Sequence, residues 1–191
     1  MCPALKRVVL NEGLEALGTD EYPDDEDVYY GVFEESALES VELPSTLKRI
    51  EYGAFRGCKA LKSVELPVRL ERIGDECFFE SALERVVIPT NISEVCHRAF
   101  YRCAGLKTVT LAENSRLARI GDHAFKETGL VSFVAPDALR EIGIAAFCGC
   151  ANLAHVKLNR GLERLGWLCF SGTALQDLAL PSLVGFTTHD A

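Results

Sequence analysis

Long apolar runs are absent from this sequence of 191 residues. No stretch approaches the roughly 18 apolar residues that a membrane-spanning helix needs. The first residues, MCPALKRVVLNEGLEALG, lack the basic end and the unbroken apolar stretch of a secretory signal. The sequence therefore predicts no membrane span. It favours an intracellular protein, with the loss of a leader as the alternative.

Positive charge is also scarce, since 28 acidic residues face 20 basic ones and the net charge is -8. Six of the acids stand in residues 20–27, DEYPDDED, which contain no base. No basic field remains that could hold nucleic acid, so the sequence predicts no nucleic-acid partner. The acidic insertion covers about residues 19–31 and does not have the register of a calcium loop. It is interpreted as a solvated loop or as a flap that contacts a partner.

An internal repeat is the main feature that is present. Leucines that begin each unit recur every 22 to 24 residues, at Leu38, Leu61, Leu83, Leu106, Leu130, Leu153 and Leu175. Each unit ends on a phenylalanine in a shared motif: RIEYGAF (49–55), RIGDECF (72–78), EVCHRAF (94–100), RIGDHAF (119–125), EIGIAAF (141–147) and RLGWLCF (164–170). An earlier unit starts at Leu5 and reaches Phe33 after the acidic insertion. Such a period predicts a solenoid whose units stack to bury one continuous core.

The consensus unit, L-x-x-V-x-L-P-x-x-L-x-x-I-G-x-x-A-F, predicts its own local structure. LKSVELP (61–67) and LERVVIP (83–89) are expected to begin as strands that prolines end. A second short apolar pair follows, and then a glycine that predicts a tight reversal. The phenylalanine is expected to fill the centre of the coil. IGDECF, which could suggest a reactive site, is therefore interpreted as scaffold.

At these residues the chain resembles the BspA-like class of leucine-rich repeats, also called the Treponema pallidum type. The motif I-G-x-x-A-F with a following Cys is specific to this class, and the Asn ladder of commoner leucine-rich repeats is missing. The resemblance implies a curved β-rich solenoid with strands on the concave side. Turns and short strands or helical turns would line the convex side. It also implies a role in binding, often in surface proteins and adhesins, and it transfers no catalytic residue.

We expect one solenoid over residues 1–191, with seven complete units and part of an eighth.

The eight cysteines follow the repeat and do not form a ligand pattern. Cys58, Cys103 and Cys150 occur in alternate units and exchange with Ser or Thr at the same position. They would stand about 9–10 Å apart, which is two strand spacings, whereas a disulfide needs Cα atoms within about 7 Å. Reduced cysteines that bond to the backbone of a turn are therefore predicted. This favours a reducing compartment.

Two cysteine arrangements could suggest chemistry. The adjacent Cys96 and His97 could suggest an activated thiolate, but their side chains are expected to diverge. Cys148, Cys150 and His155 offer one C-x-C and no second ligand pair, whereas structural zinc needs four converging ligands. The sequence predicts neither a metal nor a cofactor, and it predicts that the protein is not an enzyme.

A candidate binding patch is predicted on the outward positions of the first strands. Opposite charges alternate there for five units, and then valines replace them. The predicted partner-binding residues are Arg85, Val87, Val131, Val134, His155 and Lys157. An apolar strip with a polar rim is typical of a binding surface, although exposed valines on strands can also reflect β propensity alone.

The predicted function is that of a non-catalytic protein-binding scaffold whose concave, strand-lined face binds another protein. The alternatives are a fragment of a surface adhesin or antigen, and an enzyme that uses the cysteines. End-to-end self-association is a further option, because neither end carries an obvious polar cap.

Overall fold

The computed structural model describes residues 4–18, 31–181 and 185–187, which form a parallel β-solenoid with no helix in that part of the chain. Each unit contributes up to two short strands. The first strands are β1 (Arg7–Val9), β3 (Ser40–Glu42), β6 (Arg85–Ile88), β8 (Thr108–Leu111), β10 (Ser132–Val134) and β12 (His155–Lys157). The second strands are β2 (Ala16–Leu17), β4 (Arg49–Ile50), β5 (Arg72–Ile73), β7 (Glu94–Val95), β9 (Arg119–Ile120), β11 (Glu141–Ile142), β13 (Arg164–Gly166) and β14 (Gly185–Thr187).

The acidic insertion lies outside the described residues.

The continuous sheet belongs to the second strands, which form one eight-stranded parallel sheet in the order β14-β13-β11-β9-β7-β5-β4-β2. The first strands form three separate pairs, β1–β3, β6–β8 and β10–β12. The sequence predicted strands at both positions of the unit, and the structure has strands at both. LKSVELP (61–67) belongs to no strand, although the N–H of Glu84 donates to Lys62 O at 2.9 Å.

The length of the turn before each first strand alternates along the later units. The leading leucine follows the preceding phenylalanine by five residues at Leu83 and Leu130, but by six at Leu106 and Leu153. The pairs β6–β8 and β10–β12 each join a five-residue turn to the following six-residue turn. The break between β8 and β10 falls where six is followed by five. The earlier doublet of Leu38 and Leu61 has the same turn lengths but does not pair, since residues 61–67 form no strand and β3 pairs with β1 instead.

The predicted phenylalanine column is confirmed. Seven rings stack along the axis, from Phe33 to Phe170, with centroid distances between 5.3 and 5.6 Å. Phe78 and Phe100 are fully buried, and their ring planes differ by 8°. Leucines and isoleucines from both strand series surround the column. Stacking of neighbouring units therefore supplies the whole core, because no unit could bury its own phenylalanine.

Arg and Glu side chains pair across the second-strand sheet. Arg119 lies 3.1 Å from Glu94 and 3.5 Å from Glu141, and Arg164 continues the chain of pairs from Glu141. The Glu51 carboxylate is buried and receives both Arg49 and Arg72. The exposed pairs contribute at most about 1 kcal/mol each. Apart from Arg49 with Glu51, each of these pairs joins residues of adjacent units.

The glycines after the second strands do not have the predicted role. Gly74, Gly143 and Gly166 do not have positive φ, so the predicted reversal there is wrong. A Cβ on Gly166 would lie 2.2 Å from the carbonyl carbon of Gly143, so glycine is needed because neighbouring backbones approach closely. The left-handed residues lie two positions before and after the phenylalanine. Glu76 (φ 52°) and Glu80 (φ 54°) are examples.

The alternating cysteines and hydroxyls form hydrogen-bonded pairs inside the turns, as expected for side chains that bond to backbone. The Cys103 thiol donates to Phe78 O at 2.9 Å, and its sulfur lies 3.3 Å from the Ser81 hydroxyl. Ser36 with Cys58 and Thr128 with Cys150 repeat this arrangement. The described cysteines are all free. Each pair links two successive units.

Replacing Phe100 by Ala should lower the free energy of unfolding by about 3–5 kcal/mol, because the column cannot close around the cavity. Urea denaturation measures this change. Phe170 at the end of the described column is only partly buried, so Phe170→Ala is the matched control and should cost less. Equal losses for the two variants would contradict a column in which central rings carry more of the stability.

A candidate partner-binding face

All six predicted partner-binding residues lie on the first-strand face, defined here as the outward side chains of the first strands and the residues just before them. Arg85 and Val87 are on β6, Val134 is on β10, and His155 and Lys157 are on β12. Val131 stands one residue before β10. All six are exposed, with 55% of Val87, 45% of Val131 and 60% of Val134 accessible to solvent. The alternating pattern of these strands thus predicted their direction correctly.

The register brings four of the six residues together and leaves two apart. On the β10–β12 pair, Val134 is opposite Lys157, and His155 is opposite Ser132. Arg85 and Val87 pair instead with Thr108 and Thr110 of β8, so a whole unit separates them from β10. The predicted residues therefore form one compact group around Val134 and one flanking pair.

Val134 stands on a ridge between two depressions. The first, of about 420 Å³, is lined by β10, β12 and the following residues Gln176 and Asp177. The second, of about 690 Å³, lies between β8 and β10, at the break in the first-strand ladder. Ser132 also lines both depressions. The break between β8 and β10 thus coincides with local relief on this face.

Ser132, Gln176 and Asp177 are residues of this face that the sequence analysis missed. Ser132, His155 and Asp177 occupy the same position in three successive units and line one depression. The repeat thus brings a serine, a histidine and an aspartate to the same depression. No hydrogen bond joins the three side chains within the described part of the chain, whereas nucleophilic catalysis requires such contacts. Aligning the third residue of each unit would have found the row.

The charge ladder predicted on the first-strand face is present at its amino-terminal end. Lys6 lies 2.9 Å from Glu39, and Lys62 lies 3.5 Å from Glu84. The hydrogen bond to Glu39 raises the pKa of Lys6. These side chains are largely exposed, so the pairs contribute little to stability. Toward β10 the ladder ends, and the face becomes apolar around Val134.

Two further groups outside this face were also missed. Trp167 and Leu168 are 59% and 49% exposed, and the only Trp of the chain stands where other units have Tyr, Asp, His or Ile. On the turns, Phe79 and Tyr101 contact edge to face at 5.2 Å. Cations already cover these aromatic faces: Arg56 on Phe79, and Arg102 and Lys126 on Tyr101. The turn aromatics are therefore engaged within the chain.

Cys96 and His97 do not form a reactive pair in the structure. Cys96 is buried, and burial raises the pKa of its thiol to about 12. The His97 ring contacts the His123 ring at 5.7 Å. Burial, and then the nearby Lys126, lower the pKa of His123. Within the described residues, no group of three or more His, Cys, Asp or Glu side chains is placed to hold a metal ion.

The chain matches a known family and known repeat structures. A family profile described as BspA type leucine rich repeat region, with six copies, matches residues 26–143 and 118–189. The T. pallidum Leucine Rich Repeat protein is 29% identical, with a TM-score of 0.58 over 95% of this chain and 73% of that one.

Two other solved structures match the chain. The pneumococcal vaccine antigen PcpA is 20% identical, with a TM-score of 0.54 over 95% of this chain and 62% of that one. A leucine-rich repeat protein from Bacteroides ovatus is 21% identical, with a TM-score of 0.49 over 94% of this chain and 67% of that one. The chain thus spans about two thirds of the length of these two proteins. No curated protein matches it. Helices that could cross a membrane are not found in the part of the chain that the structure describes.

In the folded protein, iodoacetamide at about pH 8 should react slowly with Cys96 and Cys103, because only the thiolate attacks and burial keeps both thiols neutral. Cys148 is partly exposed and should react before them. Peptide mass spectrometry of samples quenched over time gives the order, and protein unfolded in urea is the control. Labelling of Cys96 ahead of Cys148 would revive the reading of Cys96 and His97 as an activated pair.

Proposed function

Because this chain belongs to the BspA-type leucine-rich repeat family, we propose that it is a protein-binding scaffold without catalytic activity. Its partner is another protein, which binds the first-strand face around Val134. The six residues predicted from the sequence, together with Ser132 and Asp177, form this surface. A single solenoid of seven complete units and part of an eighth, and its end-to-end association, stay predictions.

The observation that carries the proposal is the position of Val134. Its side chain is 60% exposed and lines two depressions of the first-strand face. An exposed apolar side chain beside concave surface, rimmed by His155 and Lys157, has the composition of a binding site with a polar edge. Burying one valine against a partner contributes about 1.5–3 kcal/mol, so a few such contacts support binding.

The absence of catalysis is supported by the state of the nucleophiles. The pKa of Cys96, Cys103 and Cys169 is raised by burial to about 12, about 12 and about 11. Such thiols remain protonated at neutral pH and are weak nucleophiles. The Cys103 thiol is already engaged with a carbonyl oxygen and a hydroxyl in its turn. These groups stabilise the stack, which is the role that a scaffold needs.

Val134→Glu should reduce binding of the partner by about 1.5 kcal/mol or more, since it replaces a buried apolar contact with a charge. Stability should change by no more than about 0.5 kcal/mol, because the position is exposed. Photo-crosslinking measures this: a benzoylphenylalanine at position 134 captures the partner from cells of the source, and competition with wild type or V134E protein reports affinity.

Val68 is the matched control, because it is 79% exposed and lies in the loop after Pro67, away from β10. Val68→Glu should compete as well as the wild type, and a crosslinker at position 68 should capture less. Equal competition by V134E and wild type, with both proteins folded, would show that the face around Val134 does not bind the partner.

A second candidate function is that of a cell-surface antigen, and the similarity to the pneumococcal vaccine antigen favours it. An antibody raised against the folded chain should then label intact cells of the source as strongly as permeabilised ones. Labelling that requires permeabilisation would assign the protein to the cell interior, as its reduced cysteines favour.

A further inference from the structure

The Lys and Arg side chains fall into two groups. Of the 20, 14 have an ion-pair partner within 4.0 Å, among them Lys6, Arg49, Arg119 and Arg164. The other six have no carboxylate partner among the described residues. These six are Arg69, Arg85, Lys107, Arg116, Lys157 and Arg160. In a chain with more acids than bases, unpaired cations are the exception, and their location is therefore informative.

The six unpaired cations lie on one side of the solenoid. Arg85, Lys107 and Lys157 belong to the first-strand face. The other three, Arg69, Arg116 and Arg160, lie in the loops between a first strand and the following second strand. Every Lys or Arg of the second-strand sheet, and every one of the turns around the phenylalanines, has a carboxylate partner. Positive charge is thus left available only beside the first strands.

Carboxylates on the same side reduce this excess but do not remove it. From β6 to Asp177, five of the unpaired cations share the first-strand face and its loops with three unpaired acids, Glu113, Asp137 and Asp177. An excess of two positive charges remains, in a chain whose net charge is -8. Lys157 and Asp177 line the first depression and Asp137 lines the second, whereas the other four cations lie outside both. Electrostatic complementarity therefore favours a partner surface that is negative and partly apolar.

We propose that the partner segment bound at this face is an acidic, extended peptide whose apolar side chains enter the two depressions beside Val134. This proposal rests on the proposed function and names the chemistry of its partner. Carboxylates of the segment pair with Lys107 and Lys157, and Arg85 extends the contact toward Val87. An exposed cation gains a charge-assisted hydrogen bond on binding without losing an existing partner.

The test uses fluorescence anisotropy with a labelled decapeptide in which Glu alternates with Leu and Val, and a counterpart in which Lys replaces each Glu. The acidic peptide should bind and the basic one should not. Its affinity should fall about tenfold in the Lys107→Glu, Lys157→Glu double variant. It should also weaken as NaCl rises from about 50 to about 300 mM, because salt screens exposed charges.

The matched control is the Lys6→Glu, Lys59→Glu double variant, which changes the net charge equally at two exposed lysines away from β10. It should keep the affinity within about twofold, since long-range charge effects are screened. Thermal melting confirms that both variants fold.

Several results would overturn the acidic-peptide proposal. These are equal binding of the two peptides, no binding of the acidic one, or an equal loss in both double variants. Tighter binding of a single-stranded oligonucleotide or of vesicles rich in anionic lipid would also overturn it. If V134E fails to compete for the crosslinked partner, the protein-binding role stands and only the proposal of an acidic partner segment fails. If V134E competes like wild type, both proposals fail.

Discussion

The structure depends on the repetition of one backbone spacing along the solenoid axis. Parallel strands lie about 4.8 Å apart, and the phenylalanine rings follow at 5.3 Å, with planes only 5° apart between Phe55 and Phe78. The offset stack is a favourable geometry for aromatic rings. Close approach of backbones requires glycine at positions such as Gly166, and it places charges of successive units within reach of one another. The spacing between units thus sets the phenylalanine column, the ion pairs between units and the parallel sheet.

Within this repetition the units act in pairs. A hydroxyl in one turn meets a cysteine in the next, as in Ser81 with Cys103 and Thr128 with Cys150. The turn with the cysteine is one residue longer, and the first strands pair within the same doublets, β6 with β8 and β10 with β12. The second strands form one continuous sheet, whereas the sheet of the first strands is interrupted. The depressions beside Val134 arise at and next to such an interruption.

The face and its charges follow from this arrangement. On the second-strand sheet, side chains stack in register and almost every cation can reach an acid in the adjacent unit, as Arg119 reaches both Glu94 and Glu141. On the first-strand face, cations near the amino-terminal end also pair with acids, whereas Lys157 is opposite Val134 and has no carboxylate partner among the described residues. Cations without a carboxylate partner in the solenoid, such as Lys157, are available for contacts with another molecule. This division of labour is consistent with a scaffold whose rigidity and recognition reside on different surfaces.

The sequence by itself determined the period, the phenylalanine column, the exposure of Val87, Val131 and Val134, and the alternating charges at the start of the first-strand face. These depend on the residue pattern within a unit and on its repetition, which can be counted. The tertiary structure decided which strands form the continuous sheet, why Gly166 is glycine, and that Ser132, His155 and Asp177 share one depression. Those features depend on how far apart neighbouring units lie and how their turns differ, and distances between units become defined only when the stack forms.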